Sequence, residues 1–302
     1  MTVRDPHRPG APPWALAVVA MLSVQLGSAL SVGLIELVGA GGTAWLRLTI
    51  GALVFLALAR PPLRLVRRRD VPTLLGLGVT TGLVTIGFLA AIERIPLGTA
   101  VAIEFLGPLT VAAVRSHRAR ALAWPALALV GVVLLTEPWR GEIDGVGVGF
   151  AAMAAVGWAT YIVLTQKVGD RFTGTTGLSL TVPVAAAVAA VVGVPQAVGH
   201  LTPQVLLAAA GLAVLLPILP YALEMLALRH MTHHAFGTLM ALEPALGVLL
   251  GLLVLQQRPS ALQLLGVVLV VLAGAAAQRA GLRHRPPAGQ RGGPRSELDL
   301  MG

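Results

Sequence analysis

The chain contains no cysteine. That excludes disulfides, a thiolate metal site and a cysteine nucleophile. Charge is scarce as well: Asp, Glu, Lys and Arg make up 12% of the 302 residues, against roughly 25% in soluble globular domains. Most of this chain therefore has no water to face. Lysine is reduced to Lys167 alone. Arginine in its place, with abundant Ala, Gly, Leu and Val, is the coding bias of a GC-rich bacterial genome. There is no HExxH, and no serine–aspartate constellation of the kind an intramembrane protease needs.

What remains is apolar: 56% of the residues are hydrophobic and the mean hydropathy is +0.83. The net charge of +9 invites a nucleic-acid reading. The basic residues, however, are scattered through short connections between apolar runs, which fits membrane orientation better. Runs of about 17–25 apolar residues are long enough to cross a bilayer as helices. Ten are predicted, at 14–35, 43–59, 71–92, 97–114, 120–136, 145–165, 175–198, 204–228, 235–255 and 260–278. The run 14–35 exceeds a signal-peptide core and is followed by further spans, so it counts as the first helix. The polar tails 1–13 and 281–302 read as disordered.

The arginines set the orientation. Alternate connections and the two tails carry eighteen of the 22 basic residues. The opposite side holds only Arg94, Arg140 and Arg258, and Arg47 lies inside a span. The excess of positive charge marks the cytoplasmic side, so both termini are expected there. The alternation persists through all ten spans, which supports the span count.

The chain also repeats itself. Residues 98–104 read GTAVAIE and residues 237–243 read GTLMALE; downstream, GVVL recurs at 131–134 and 266–269. Two halves of five helices follow, 14–136 and 145–278. An odd number of helices per half inserts the second half upside down. Inverted repeats of this kind let a transporter exchange the conformations of its halves.

A charge inside a span costs several kcal/mol unless it is paired, protonated or wetted. Four such residues stand out: Arg47, Glu104, Glu224 and Glu243. Glu104 and Glu243 fall near mid-membrane at equivalent positions of the two repeats. Each is followed by a proline, Pro108 one turn later and Pro244 at once; proline frees carbonyls of the preceding turn and bends helices. Such a carboxyl is either a substrate or proton site or a protonated group joining helices by hydrogen bonds. Glu224 lies a turn from the cytoplasmic end, where it either joins the site or pairs with Arg229. Arg47 either snorkels, pairs with a carboxylate, or binds a substrate carboxylate bidentately. Gln25, Ser28 and Ser31 in the first span, Trp158 and Tyr161 in the sixth and Tyr221 in the eighth either line a wet cavity or, for the aromatics, form an interface belt. Two weaker patterns are set aside. GVGVG at 145–149 opens an apolar helix with no strand before it, so it is a packing stripe and not a nucleotide loop. The cluster His230, His233 and His234 reads as a solvated turn before it reads as a metal or pH site.

Five segments carry a wider likeness: RLTIG from Arg47, IPLGTAVAIEFLGPL at 95–109, WATYI at 158–162, LPYALEMLAL at 219–228 and FGTLMALEPAL at 236–246. In these the chain resembles the drug/metabolite transporter superfamily of EamA type, and within it the bacterial threonine/homoserine exporters. The likeness spans all ten helices and omits the tails. Its histidines in HMTHHAFGTLM depart from the pattern. The resemblance implies an all-α integral membrane protein of the inner membrane that expels small neutral amino acids by proton antiport, with no cofactor and no enzymatic activity. Its partners are then a small-molecule substrate, protons and membrane lipid, with no nucleic acid, as a monomer or a dimer. The competing expectations are another EamA-type substrate, such as a purine or a cationic drug, and an intramembrane enzyme acting on lipid-linked substrates.

Overall fold

The structure, a computed structural model, describes residues 12–59, 64, 66–115, 119–141, 144–169, 171–172 and 176–282. Apart from Pro12, Pro13, Gly281 and Leu282, the two expected tails lie outside the described residues. The described residues form helices and no strand: α1 (Pro13–Ala59), α2 (Val71–Ile92), α3 (Leu97–Arg115), α4 (Ala123–Thr136), α5 (Gly145–Gly169), α6 (Thr176–Ala197), α7 (Pro203–Ala213), α8 (Leu219–His230), α9 (His233–Met240), α10 (Glu243–Leu255) and α11 (Ala261–Leu282). Nine helical stretches among them are long and apolar enough to cross a membrane.

The first of these stretches carries a correction. A loop is expected over 36–42, yet α1 runs for 47 residues and leaves helical geometry only at Gly39, with φ 73° and ψ 166°. At 1.5 Å per residue an unbroken helix of that length would measure roughly 70 Å, more than twice the ~30 Å hydrocarbon core. A single residue at positive φ divides it, a conformation that glycine adopts without a Cβ penalty. A Cβ at Gly39 would stand 2.5 Å from the Gln196 side-chain oxygen. That oxygen accepts the Gly42 backbone N–H at 3.1 Å, so α6 caps the point where the second half of α1 begins.

Two expected spans are also interrupted. The run at 204–228 comprises α7, a π turn at Val214–Ile218 and α8, with Leu216 extended at φ −159°. Pro217 in that turn has no N–H to donate, and the Ser23 hydroxyl of α1 donates to the Leu215 carbonyl at 2.8 Å, satisfying one group freed there. The run at 235–255 is split at Ala241–Leu242 into α9 and α10, and α10 opens on Glu243-Pro244.

Small residues hold the bundle together, as expected where lipid removes the hydrophobic drive between helices. One close crossing is between α4 and α11. A Cβ at Gly131 would lie 2.6 Å from the Gly266 carbonyl oxygen, and one at Gly266 would lie 2.5 Å from the Gly131 carbonyl oxygen. These two glycines head the recurring GVVL segments. Around this crossing sits the main core, with Leu89, Leu97, Ala100, Leu109 and Val270 buried and α3 near its centre. Many large apolar side chains, among them Leu53, Leu58, Val156, Val191 and Leu207, point outward. Such an outer face is what lipid requires.

Candidate functional site

Glu104 sits inside α3 and is 8% exposed; Glu243, the first residue of α10, is 5% exposed. Glu224, on α8, is half-buried. The structure draws these three acids together, because Glu243 lies within electrostatic reach of both Glu224 and Glu104. Two tyrosines border the cluster. Glu224 acts on Tyr161 of α5 and on Tyr221 of α8, and Tyr161 acts on Tyr221. The Tyr221 ring meets Phe55 of α1 edge-on, with centroids 5.9 Å apart and planes at 85°. Side chains from α1, α3, α5, α8 and α10 thus converge. The alternative of a Glu224–Arg229 pair involves a side chain outside the described residues. Trp158, one turn before Tyr161, is half-buried.

Arg47 stands apart from the acids. It is 5% exposed, so it does not snorkel. Among the described residues no carboxylate pairs with it, and its charge is not among those acting on Glu104, Glu224 or Glu243. Its Nη1 donates instead to the Ser31 hydroxyl at 3.0 Å, and Ser31 in turn donates to the Gly27 carbonyl at 2.6 Å. Ser28 donates to the Val24 carbonyl at 2.9 Å. Both serines thus settle their own hydrogens in the helix, and Ser31 turns a lone pair to the guanidinium. Among the described residues Arg47 Nε has no partner, and neither does the Gln25 side-chain oxygen, although both are buried. Buried donors and acceptors are rarely left unpaired. A charged donor on the second arm of α1 and a neutral acceptor on the first are thus both left open. Phe55 lies eight residues beyond Arg47 on α1, about 12 Å along the axis. The interior therefore holds two polar stations at different depths, an arginine–serine station and a carboxylate–tyrosine station.

A third polar group was not anticipated from sequence. Glu137 follows α4 with φ 40° and is 4% exposed. Its Oε1 accepts the Ser260 hydroxyl at 2.9 Å and meets Arg140 at 3.3 Å. Gln263 accepts the Ser260 N–H at 2.9 Å and donates to the Leu135 carbonyl at 3.2 Å. The Gln257 side-chain oxygen accepts the Leu97 N–H at 3.0 Å, at the first turn of α3. This knot ties the start of α3 and the end of α4 to the α10–α11 connection. The only hint in the sequence is Glu137 before Pro138 in a short connection, which reads equally as a solvated turn.

Outside the spans, two ion pairs fasten the ends. Arg94 reaches Asp144 at 3.0 Å and Arg171 reaches Asp70 at 3.3 Å. The Gly147 N–H, then the Arg94 guanidinium, holds the Asp144 carboxyl below its ordinary value. The Arg67 N–H, then Arg171, does the same for Asp70.

An all-helical bundle with a lipid-like exterior and buried acids, arginine and tyrosines inside is a multi-pass membrane protein of the transporter kind. Comparison with known proteins agrees. The model of the EamA-like transporter family matches residues 145–276. The threonine/homoserine exporters RhtA of Salmonella typhimurium (strain SL1344) and of Escherichia coli (strain K12) are each 35% identical over 271 residues, covering 86% of this chain and 89% of theirs. A solved chain described only as "Crystal structure of protein" superposes with a TM-score of 0.60 at 21% identity, covering 90% of this chain and 99% of that one, which speaks to the fold alone. The chain belongs to the EamA-like transporter family, within the drug/metabolite transporter superfamily.

Proposed function

We propose that this chain is an inner-membrane exporter of small neutral amino acids of the threonine/homoserine type, working by proton antiport with alternating access. The observation that carries the substrate class is the near full-length identity of 35% to threonine/homoserine exporters. The interior chemistry supports it. An amino acid brings a carboxylate, which suits the open Nε of Arg47, and an ammonium, which suits a cluster of carboxylates. The proton is carried by Glu104, with Glu243 and Glu224 beside it. An ionised carboxylate in this interior is expensive unless it is neutralised. Proton and substrate ammonium then serve the same need and exclude each other, and that reciprocity is the coupling an antiporter requires. Gln25, Ser28, Trp158, Tyr161 and Tyr221 line the route between the two stations.

Ten spans in two inverted halves, with both termini in the cytoplasm, complete the reading. Three observations support it. The 47-residue α1 breaks at Gly39, which yields two crossings. The family model matches one half of the chain. The GVVL glycines Gly131 and Gly266 pack on each other reciprocally, as residues related by a dyad do. Single cysteines introduced at 64–69 and at 138–141 of this cysteine-free chain test the orientation: an impermeant thiol reagent added to intact cells should label the second site only. The function is tested by counterflow with purified protein in liposomes. Threonine and homoserine are expected to exchange, whereas uptake of cationic drugs without amino-acid exchange would overturn the substrate class.

A further inference from the structure

The first turns of α2 and α6 lie at the arginine-rich end of the bundle. Deeper along the same helices the contact is close: a Cβ at Gly78 would lie 2.5 Å from Val184 Cβ, and one at Gly82 would lie 2.9 Å from the Ala185 carbonyl oxygen. Toward the helix starts lies a groove of about 330 Å³ lined by Val66, Val71, Leu74, Leu75, Leu180 and Val184. The side chains that line it are all apolar, and Val71 and Leu75 face outward at 39% and 47% exposure. A lipid-facing trough of this kind accepts an acyl chain.

The mouth of the groove has the opposite chemistry. Val66 and Val71 both line it, and the turn that joins them is Arg67-Arg68-Arg69-Asp70, with the three arginines exposed. Asp70 fixes the turn, since its Oδ2 accepts the Arg67 backbone N–H at 3.0 Å and pairs with Arg171 Nε at 3.3 Å. Asp70 also lies within electrostatic reach of Arg69. Asp70 is the one acid of this turn against Arg67, Arg68 and Arg69, and its carboxylate is already engaged by Arg171, which leaves a positive excess beside an apolar slot. Phosphate suits arginine forks, and basic clusters bordering a membrane attract anionic lipid by roughly 1 kcal/mol per cation.

From this juxtaposition we infer that the α2–α6 groove and its arginine turn form a binding site for one anionic phospholipid, with an acyl chain between α2 and α6 and the phosphate on Arg67, Arg68 and Arg69. The groove is lined by none of the polar side chains of the two interior stations, although Tyr161 packs against the same cluster as Leu74, and the inference goes beyond the transport reading. It binds whether or not the transported solute is an amino acid.

Native mass spectrometry of the full chain in detergent tests the site, with dioleoyl phosphatidylglycerol and dioleoyl phosphatidylcholine added at equal concentration. The expected result is one phosphatidylglycerol retained with at least tenfold preference. The triple variant Arg67→Gln, Arg68→Gln, Arg69→Gln should reduce that preference to about twofold or less. Leu75→Trp, at an exposed groove position, should displace the lipid while the arginines remain; Val71→Trp serves the same end if that variant folds poorly. Equal retention of the two lipids by the unaltered chain, or full preference in the arginine variant, would overturn the proposal. Displacement of the lipid by millimolar glycerol phosphate would do so as well, since it marks a soluble-phosphate site.

Discussion

Glu104 and Glu243 close the same repeated segment, GTAVAIE in one half and GTLMALE in the other, yet the structure treats them differently. Glu104 lies in the interior of α3, which runs unbroken from Leu97 to Arg115 through Pro108. Glu243 begins a new helix, because α9 stops at Met240 and α10 starts at Glu243 with Pro244 in its first turn. The offset of proline accounts for the difference. Pro108 cannot donate to the carbonyl four residues back, which is that of Glu104 itself. Pro244 immediately after Glu243 sits where a helix starts most readily, since the first N–H groups of a helix have no partner anyway. Glu243 then lies in the first turn of its helix, whereas Glu104 lies in the middle of one. Repetition in sequence thus leads to one acid set in a continuous rod and another set at a joint. In the proposed mechanism the mid-helix acid is the proton carrier and the joint-seated acid the brace.

The largest test of that contrast is transport under an imposed pH gradient in proteoliposomes. Glu104→Gln keeps the shape but cannot titrate; it should lower gradient-driven export at least tenfold while leaving substrate exchange measurable. Glu243→Gln should fall by about threefold or less. Equal losses would show that the two acids share one role, and full gradient-driven transport by Glu104→Gln would leave it as a bridge between helices.

The second test asks how far the halves are alike where they meet. Gly131→Val and Gly266→Val each force a side chain into the same crossing, and overpacking costs about 1–3 kcal/mol. Thermal midpoints in detergent should fall by similar amounts in the two variants, and the double variant should fall by less than the sum, because contacting residues do not add. A clear inequality would argue against a dyad through this point.

Proline provides a finer distinction. Pro108→Ala restores a donor to the Glu104 carbonyl and should raise stability by about 1 kcal/mol, since interior proline opposes a helix. The same change should slow transport. Pro244→Ala replaces a residue already in a favoured position, so its stability should stay within about 0.5 kcal/mol of the parent. Matching responses would remove the distinction between rod and joint.

The smallest expected effect concerns Asp144, another acid at a helix start, but one in water. Its folded-state value is lowered by the Gly147 N–H first and by Arg94 second. The stabilisation it gives is therefore complete above the ordinary carboxylate range and is lost as pH falls through the lowered value. Thermal midpoints measured from pH 7 downward should show this acid-side loss in the parent and less of it in Asp144→Asn.

Much of the bundle was legible because the bilayer imposes a length on each crossing, and apolar runs record it. Breaks inside runs were not. The sequence placed a seven-residue connection around Gly39, where one residue suffices, because several adjacent glycines read as loop and not as close packing. The interruptions at Leu216 and at Ala241 likewise leave no mark on hydropathy. Among site residues, the burial of Glu104, Glu243 and Arg47 follows from charge within apolar runs. Their partners do not: Glu224 joins the other acids and Arg47 leans on Ser31, and both outcomes depend on helix rotation. The Glu137–Ser260–Gln263 knot combines residues more than a hundred positions apart, and nothing local announces it.

The corner at Gly39 constrains motion as well as shape. One residue joins the two arms of α1, and α6 clasps the start of the second arm through Gln196. A hairpin without slack transmits a push on either arm to the other, so the pair moves as a single lever whose fulcrum lies at that corner. Arg47 and Phe55 both lie on the arm beyond Gly39, so a tilt of that arm about the corner carries the guanidinium and the ring that meets Tyr221 in one direction, with the longer travel at Phe55.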